Sequence, residues 1–200
     1  LEATEAPYVA LADQDDVWLP HKLEASLALL QQVERRHGIE TPMIVHSDLE
    51  LIDAAGLLLG KTFIQSARLD PLRTDPKNLA LTNVVTGCTV LLNRMLLQKA
   101  LPIPGEAMMH DWWLALVASC FGQIVFLPDP TVLYRQHGGN VLGAKGIGPG
   151  YCIKRLQHFS TNPSAGGHTR AAIRQADCFE QRYGHQLSAL PALLQLPRRR

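Results

Sequence analysis

The sequence predicts an α/β layered fold, because segments typical of strands alternate along the chain with segments typical of amphipathic helices. Apolar residues make up 46% of the 200 residues and charged residues 18%, which favours a packed core over long disorder. The longest apolar stretch, residues 112–127, is interrupted by Gly122 and Gln123 and is too short for a membrane span. We therefore expect one globular domain with an appendage.

The first elements predicted are a strand and a helix. Residues 8–12 form a short apolar run that stops at a cluster of carboxylates, as expected for a strand with acids at its carboxyl end. Pro20 suits the first turn of a helix, and apolar residues follow it at spacings of four, three and three. The next segments are predicted as a strand at 43–46, a turn at 53–56 and a surface loop over 60–78.

The second half of the chain predicts a similar alternation. Residues 84–92 are a β-branched run that Gly87 interrupts, as at positions where backbone approaches a ligand closely. Further elements are predicted as helices at about 93–100 and 111–121, strands at 123–127 and 132–135, and tail helices near 151–159 and 168–183. These divide the chain into a domain, residues 1–144, and a Gly-rich linker with a basic helical tail, residues 145–200.

Charge is distributed unevenly along the chain. Residues 1–142 carry 10 Lys or Arg and 16 Asp or Glu, whereas residues 143–200 carry 9 and 2. A basic tail suits an anionic partner or is simply solvated. No aromatic residues alternate with the terminal arginines, which argues against nucleic acid and favours peripheral contact with the inner face of the membrane. The four cysteines lie 26 or 32 residues apart, which favours reduced thiols in the cytoplasm.

Three acids follow the first predicted strand: Asp13, Asp15 and Asp16. Ligands usually bind at the carboxyl ends of strands in α/β folds, and clustered carboxylates are the ligands that Mg²⁺ or Mn²⁺ prefers. An acidic turn that only caps the following helix is the alternative.

Two further segments carry candidate chemistry. Asp111 lies at a predicted helix start, where it is either a cap or a general base, and Trp112 and Trp113 beside it are either core or sugar-contacting residues. At the end of the last strand, Arg135 is a candidate phosphate partner. The candidate metal ligand that follows it is His137, although a loop histidine is usually solvated.

Four segments follow one another in this order: YVALADQDDVWLPHKLE, VHSDLELIDAAGLLLG, NVVTGCTVLLNR and MHDWWLALVASCFGQIVFLPDPTVLYRQHGGNVLG. Together they make the chain resemble the family 2 glycosyltransferases, and among them bacterial rhamnosyltransferase-type enzymes of surface polysaccharide assembly. The resemblance covers about residues 7–144. It implies a GT-A (Rossmann-like) mixed sheet flanked by helices. The implied reaction is sugar transfer with inversion, from a nucleotide-diphosphate donor such as dTDP-rhamnose to a glycan or lipid-linked acceptor.

The resemblance also implies roles for individual residues. Asp13 and Asp15 match the DXD motif that holds Mn²⁺ or Mg²⁺, with Asp16 adjacent, and His137 matches a histidine that helps hold the metal. Asp111 matches the catalytic base. The expected donor and acceptor contacts are Gly87, Cys88, His110, Trp112, Trp113 and Arg135.

One departure from the family lies at the start of the chain. Only seven residues precede Tyr8, where relatives carry a nucleotide-binding half of alternating strands and helices. We therefore expect an N-terminally truncated form or a fragment of a longer protein, with one sheet edge uncovered. Two alternatives stay open: a non-catalytic glycosyltransferase-like binding domain, and a metal-dependent phosphohydrolase that uses the acids and His137.

Overall fold

A computed structural model describes residues 1, 3–136 and 165–187 of the chain. Within these ranges a six-stranded mixed sheet is flanked by helices, which confirms the predicted α/β class. The strands are β1 (Tyr8–Ala10), β2 (Val17–Trp18), β3 (Met43–Ile52), β4 (Leu58–Thr62), β5 (Leu91–Asn93) and β6 (Gln123–Arg135). The helices are α1 (Lys22–His37), α2 (Phe63–Ala67), α3 (Pro76–Leu79), α4 (Arg94–Ala100), α5 (His110–Phe121) and α6 (Ala165–Tyr183), with short 3₁₀ turns at Gly87–Thr89 and Gly184–Gln186.

The sheet has the order β1-β5-β3-β6-β2, and β4 pairs with β3 beside this path. β3 and β6 run parallel, whereas the other pairs are antiparallel. In the part of the chain that the structure describes, β1 pairs only with β5 and forms one edge of the sheet. The acids that follow β1 therefore lie beside β5 and the turn that precedes it.

β6 differs from the prediction of two separate strands. It is continuous past Pro128 and Pro130, and its pairing with β3 shifts register between Ser47 and Leu49. Ser47 pairs with Leu127 and Leu49 pairs with Val132. The β6 residues between Leu127 and Val132 therefore form an irregular, bulged part of the ladder. Proline lacks the N–H that a ladder needs, and such a bulge accommodates it without ending the strand.

The core lies on both faces of the sheet. Ile44 faces a cluster formed with α4, α5 and α6, whereas its neighbour Val45 faces α1, as the alternation of side chains along a strand requires. α5 is buried from Asp111 to Ala118, which places it centrally. Phe179 and Tyr183 of α6 belong to the same core cluster, so this part of the predicted tail packs against the domain. Among the described residues, no helix combines the length and apolarity that a membrane span needs.

Several short elements escape the sequence patterns. Residues 60–78, predicted as a loop, contain α2 and most of α3, whose starts are capped by Thr62 and Asp75. β-branched residues before residue 92 favour an extended chain locally, but this segment forms a 3₁₀ turn and only a three-residue strand. Gly87 lies in that turn, where contacts with distant residues outweigh local β propensity.

His46 is fully buried on β3, packed against the ring of Phe126 with 5.2 Å between centroids. Neither ring nitrogen has a hydrogen-bond partner among the described residues. Burial lowers the pKa of His46 to about 4, because the charged imidazolium would be desolvated. The imidazole is therefore neutral in the folded protein at neutral pH.

We expect the free energy of unfolding to fall as the pH is lowered from about 6.5 to about 4. In this range the unfolded chain takes up a proton at His46 and the folded chain does not. This difference lowers the free energy of unfolding by about 3 kcal/mol in total, and His46 causes no further loss at lower pH. Urea unfolding across this range measures the effect. His46→Leu is the control: it should remove this part of the pH dependence, and an equal slope in both proteins would contradict the assignment.

Candidate functional site

The acidic loop, defined as Asp13–Asp16, connects β1 to β2 and lies against the 3₁₀ turn at Gly87–Thr89. Carboxylate oxygens of Asp13 and Asp16 and the sulfur of Cys88 all lie within 4.8 Å of one another. The backbone N–H of Leu11 donates to Val90 O at 3.1 Å, which ties the entry to the loop to the end of the turn. Two segments that are separate in sequence thus form one cluster.

Arg135 holds the other side of the acidic loop. Its backbone N–H donates to Asp16 Oδ1, and its Nε donates to the main-chain oxygen of Asp15, each at 3.2 Å. A terminal guanidinium nitrogen donates to Ala54 O, also at 3.2 Å. These contacts give Arg135 a role in fixing the conformation of the loop, and the role of phosphate partner stays a prediction.

Asp111 is the second residue of α5 and is only 3% exposed. Its Oδ1 accepts hydrogen bonds from the backbone N–H of Trp112 at 2.6 Å and from Asn83 Nδ2 at 3.4 Å. Burial raises the pKa of Asp111, His110 opposes that rise, and the negative charge of Asp13 adds to it. The acid predicted as a base and an acid predicted as a metal ligand therefore lie close enough for their charges to interact.

Gly87 lies directly against the carboxylate of Asp111. A Cβ added at Gly87 would lie 3.2 Å from Asp111 Oδ2 and 3.3 Å from Nε2 of His110. His110 is exposed, so the imidazole is a solvent-facing neighbour of the buried acid. The absence of a side chain at Gly87 is what allows the turn, Asp111 and His110 to meet.

If the site is catalytic, replacing Gly87 with alanine should lower turnover about tenfold without unfolding the protein. The new methyl group must displace the Asp111 carboxylate by a few tenths of an ångström, and small misplacements at a reacting group are costly. The comparison needs initial rates together with thermal unfolding curves. Gly105→Ala is the control, since nothing lies within 4 Å of a Cβ there. Equal rates for both variants would mean that contact with Gly87 does not position Asp111.

The cluster is completed by Lys22, Tyr134 and the thiol of Cys88. The sequence patterns did not identify Lys22 or Tyr134 as site residues. Lys22 is 2% exposed, its Nζ donates to Cys88 O at 2.9 Å, and it lies 5.0 Å from the centre of the Trp18 ring. Burial lowers the pKa of Lys22 to about 8, although the negative charge of Asp16 acts to raise it. Burial raises the pKa of Tyr134 and of Cys88, so both stay protonated at neutral pH.

The two tryptophans are buried, which argues against the expected contact with donor or acceptor. Trp112 is 4% exposed and Trp113 is fully buried. Their Nε1 atoms donate to Leu79 O at 2.5 Å and to Ala100 O at 3.0 Å. Neither ring offers a free face to a sugar, because α5 is surrounded by other helices and the sheet.

The metal-binding residues are placed only in part. The structure groups Asp16, rather than Asp15, with Asp13, while Asp15 contributes its main-chain oxygen to the contact with Arg135. His137 lies outside the described residues, so its ligand role stays a prediction. The tail helix expected at 151–159 also lies outside them.

The donor set fits a hard divalent cation. Asp13 and Asp16 supply carboxylate oxygens, and Oδ2 of Asp16 is buried with no hydrogen-bond partner in the described ranges. Such an oxygen has a free lone pair for Mg²⁺ or Mn²⁺. The Cys88 thiol is a poor third ligand, because it is protonated and sulfur suits softer metals.

A cavity of about 270 Å³ lies elsewhere, lined by residues such as Glu50, Lys61 and Gln65 and by none of the site residues.

No model of a protein family matches the chain, and no curated protein matches it. The described residues form a mixed α/β domain in which the acidic loop, the Gly87 turn and the start of α5 meet.

Proposed function

We propose that the protein is a metal-dependent, inverting glycosyltransferase of the GT-A type. It would move a sugar, with rhamnose as the first candidate, from a nucleotide-diphosphate donor to a glycan or lipid-linked acceptor of surface polysaccharide synthesis. The observation that carries this proposal is that the buried Asp111 lies against Gly87, while Asp13 and Asp16 of the acidic loop cluster with the adjacent Cys88. The order of the four sequence segments supports the same family.

Asp111 has the properties of a general base in this proposal. Its raised pKa makes the carboxylate a better proton acceptor than an exposed aspartate, and the N–H of Trp112 fixes its orientation. The carboxylate would accept the proton of the acceptor hydroxyl as that oxygen attacks the anomeric carbon and the bond to the diphosphate breaks. A single displacement of this kind inverts the configuration and requires no protein nucleophile.

Asp13 and Asp16 would hold the divalent cation. When bound, Mn²⁺ or Mg²⁺ stabilises the negative charge that develops on the departing nucleoside diphosphate. The contacts of Arg135 keep the acidic loop in place for this task. His110, exposed beside Asp111, is positioned to contact the acceptor or to pass the proton to solvent.

The acceptor and the location follow from the resemblance and from charge. A lipid-linked acceptor would lie at the inner face of the membrane, and a tail with 9 basic and 2 acidic residues suits peripheral contact with anionic lipid there. The transfer reaction itself would take place in the cytoplasm, where nucleotide sugars are available to the site.

A transfer assay tests the proposal. The protein, with any residues that its reading frame encodes before Leu1, is incubated with Mn²⁺ and a panel of nucleotide sugars that includes dTDP-rhamnose. We expect nucleoside diphosphate release that depends on both metal and acceptor, with an inverted anomeric centre by NMR. Phosphate release without acceptor would indicate a phosphohydrolase. Metal-dependent nucleotide binding without turnover would indicate a binding domain.

A further inference from the structure

Lys22 is a charged side chain without an assigned task in the proposed reaction. It begins α1, yet it is only 2% exposed, whereas a lysine at a helix start is usually solvated. Its Nζ donates to the main-chain oxygen of Cys88, whose sulfur lies within 4.8 Å of the Asp13 and Asp16 carboxylates. A buried ammonium group therefore lies immediately behind the acidic loop.

The surroundings of Lys22 hold this charge in place. The ammonium lies 5.0 Å from the centre of the Trp18 ring, and its charge attracts that of Asp16. Burying an ammonium group is costly unless opposite charge compensates it. The same reasoning applies to the acids, since Asp16 carries a buried oxygen with no hydrogen-bond partner among the described residues.

We propose that Lys22 is the internal counter-cation of the acidic loop: it compensates the negative charge of Asp13 and Asp16 when no divalent ion is bound, and so weakens the affinity of the loop for that ion. The inference rests on the proposed metal site but on no transfer activity. A fixed positive charge behind the ligands, bonded to Cys88 of the same cluster, repels an incoming divalent cation, although it holds the carboxylates together in its absence.

This role and a purely structural role predict opposite changes in cation affinity when the charge of Lys22 is removed. If Lys22 only supported the fold, neutral replacements would loosen the loop and weaken cation binding. If its charge opposes the cation, neutral replacements bind the cation more tightly. Lys22→Met preserves length and removes both charge and donor, whereas Lys22→Gln removes the charge and keeps a donor for Cys88 O.

The experiment is a titration of the protein with Mn²⁺ alone, at neutral pH, read by the electron paramagnetic resonance signal of free Mn²⁺. We expect Lys22→Met and Lys22→Gln to bind Mn²⁺ about tenfold or more tightly than the wild type. Lys99→Met is the matched control, because Lys99 lies over the ring of Phe121 at the far end of α5. The Mn²⁺ affinity of this variant should match that of the wild type. The gain should vanish when Asp16→Asn is combined with either Lys22 variant.

The outcomes separate this proposal from the metal site itself. Equal or weaker Mn²⁺ binding in both neutral variants overturns the counter-cation role, and Lys22→Gln decides it if Lys22→Met does not fold. If the wild type binds no Mn²⁺ but the neutral variants do, the proposal stands, because the lysine then suppresses binding fully. If no variant binds Mn²⁺, both the metal site and the counter-cation role are rejected, whatever the transfer assay shows.

Discussion

Replacing Asp111 with asparagine is expected to reduce sugar transfer by a factor on the order of 10² to 10⁴. The amide keeps the size of the side chain, and its oxygen still accepts the hydrogen bond that the N–H of Trp112 donates to Oδ1 in the native protein. In the proposed reaction, the amide has no basic oxygen to take the proton from the acceptor hydroxyl. Donor binding should persist, since Asp13 and Asp16 are unchanged. Initial rates and a donor-binding titration measure the two effects separately.

Asp177→Asn is the matched control for this variant. Asp177 is exposed on α6, so the same chemical change there should leave the transfer rate unaltered. Near-normal turnover in Asp111→Asn would remove Asp111 from the role of base. Loss of both turnover and donor binding would instead point to a structural contribution of the buried carboxylate.

Trp113→Ala should destabilise the protein by about 3 to 5 kcal/mol, as expected for deletion of a large buried aromatic side chain. The ring of Trp113 is fully buried and contacts the rings of Phe179 and Tyr183, with centroids 5.4 and 6.1 Å away. Its Nε1 also donates to Ala100 O, which would lose that partner. The substitution therefore leaves a cavity between α4, α5 and α6.

Urea unfolding measures this cost. Ile173→Ala is the control, because Ile173 is 37% exposed on α6 and its truncation should have a small effect. Similar unfolding midpoints for Trp113→Ala and the wild type would show that α6 does not pack on α5 through this ring. A large loss for both variants would show instead that α6 is sensitive to any truncation.

Periodicity predicted the elements that bury an apolar face. The spacing of apolar residues after Pro20 gave α1, and the apolar segment from residue 111 gave α5, which begins one residue earlier. The predicted strand at 43–46 forms the start of β3, which continues to Ile52. In each case burial of a continuous apolar face decides the structure, so the sequence pattern is sufficient.

Elements held by long-range contacts could not be predicted in this way. β2 has two residues and exists because Val17 and Trp18 pair with β6, more than a hundred residues later. The turn at Gly87 replaces a strand that β-branched residues favour locally. Its position depends on Lys22 and Asp111, whose proximity no local pattern reveals.

The candidate site shows the same division. Acids at a strand end and at a helix start were visible in the sequence, because their types and positions are typical of metal ligands and bases. The burial of Lys22 was not visible, since a lysine near a helix start is normally solvated. The burial of Trp112 and Trp113 was one of two interpretations, and only the packing of α5 distinguishes them.

Paramagnetic relaxation by Mn²⁺ tests most directly whether the acidic loop and Asp111 share one site. In ¹⁵N-labelled protein, substoichiometric Mn²⁺ should broaden the amide signals of Asp16, Cys88 and Trp112 first. The signal of Phe121 should persist longer, because ten residues of helix place it about 15 Å farther along α5. Mg²⁺ is the diamagnetic control. Broadening confined to the loop, with Cys88 and Trp112 as sharp as Phe121, would contradict a common site.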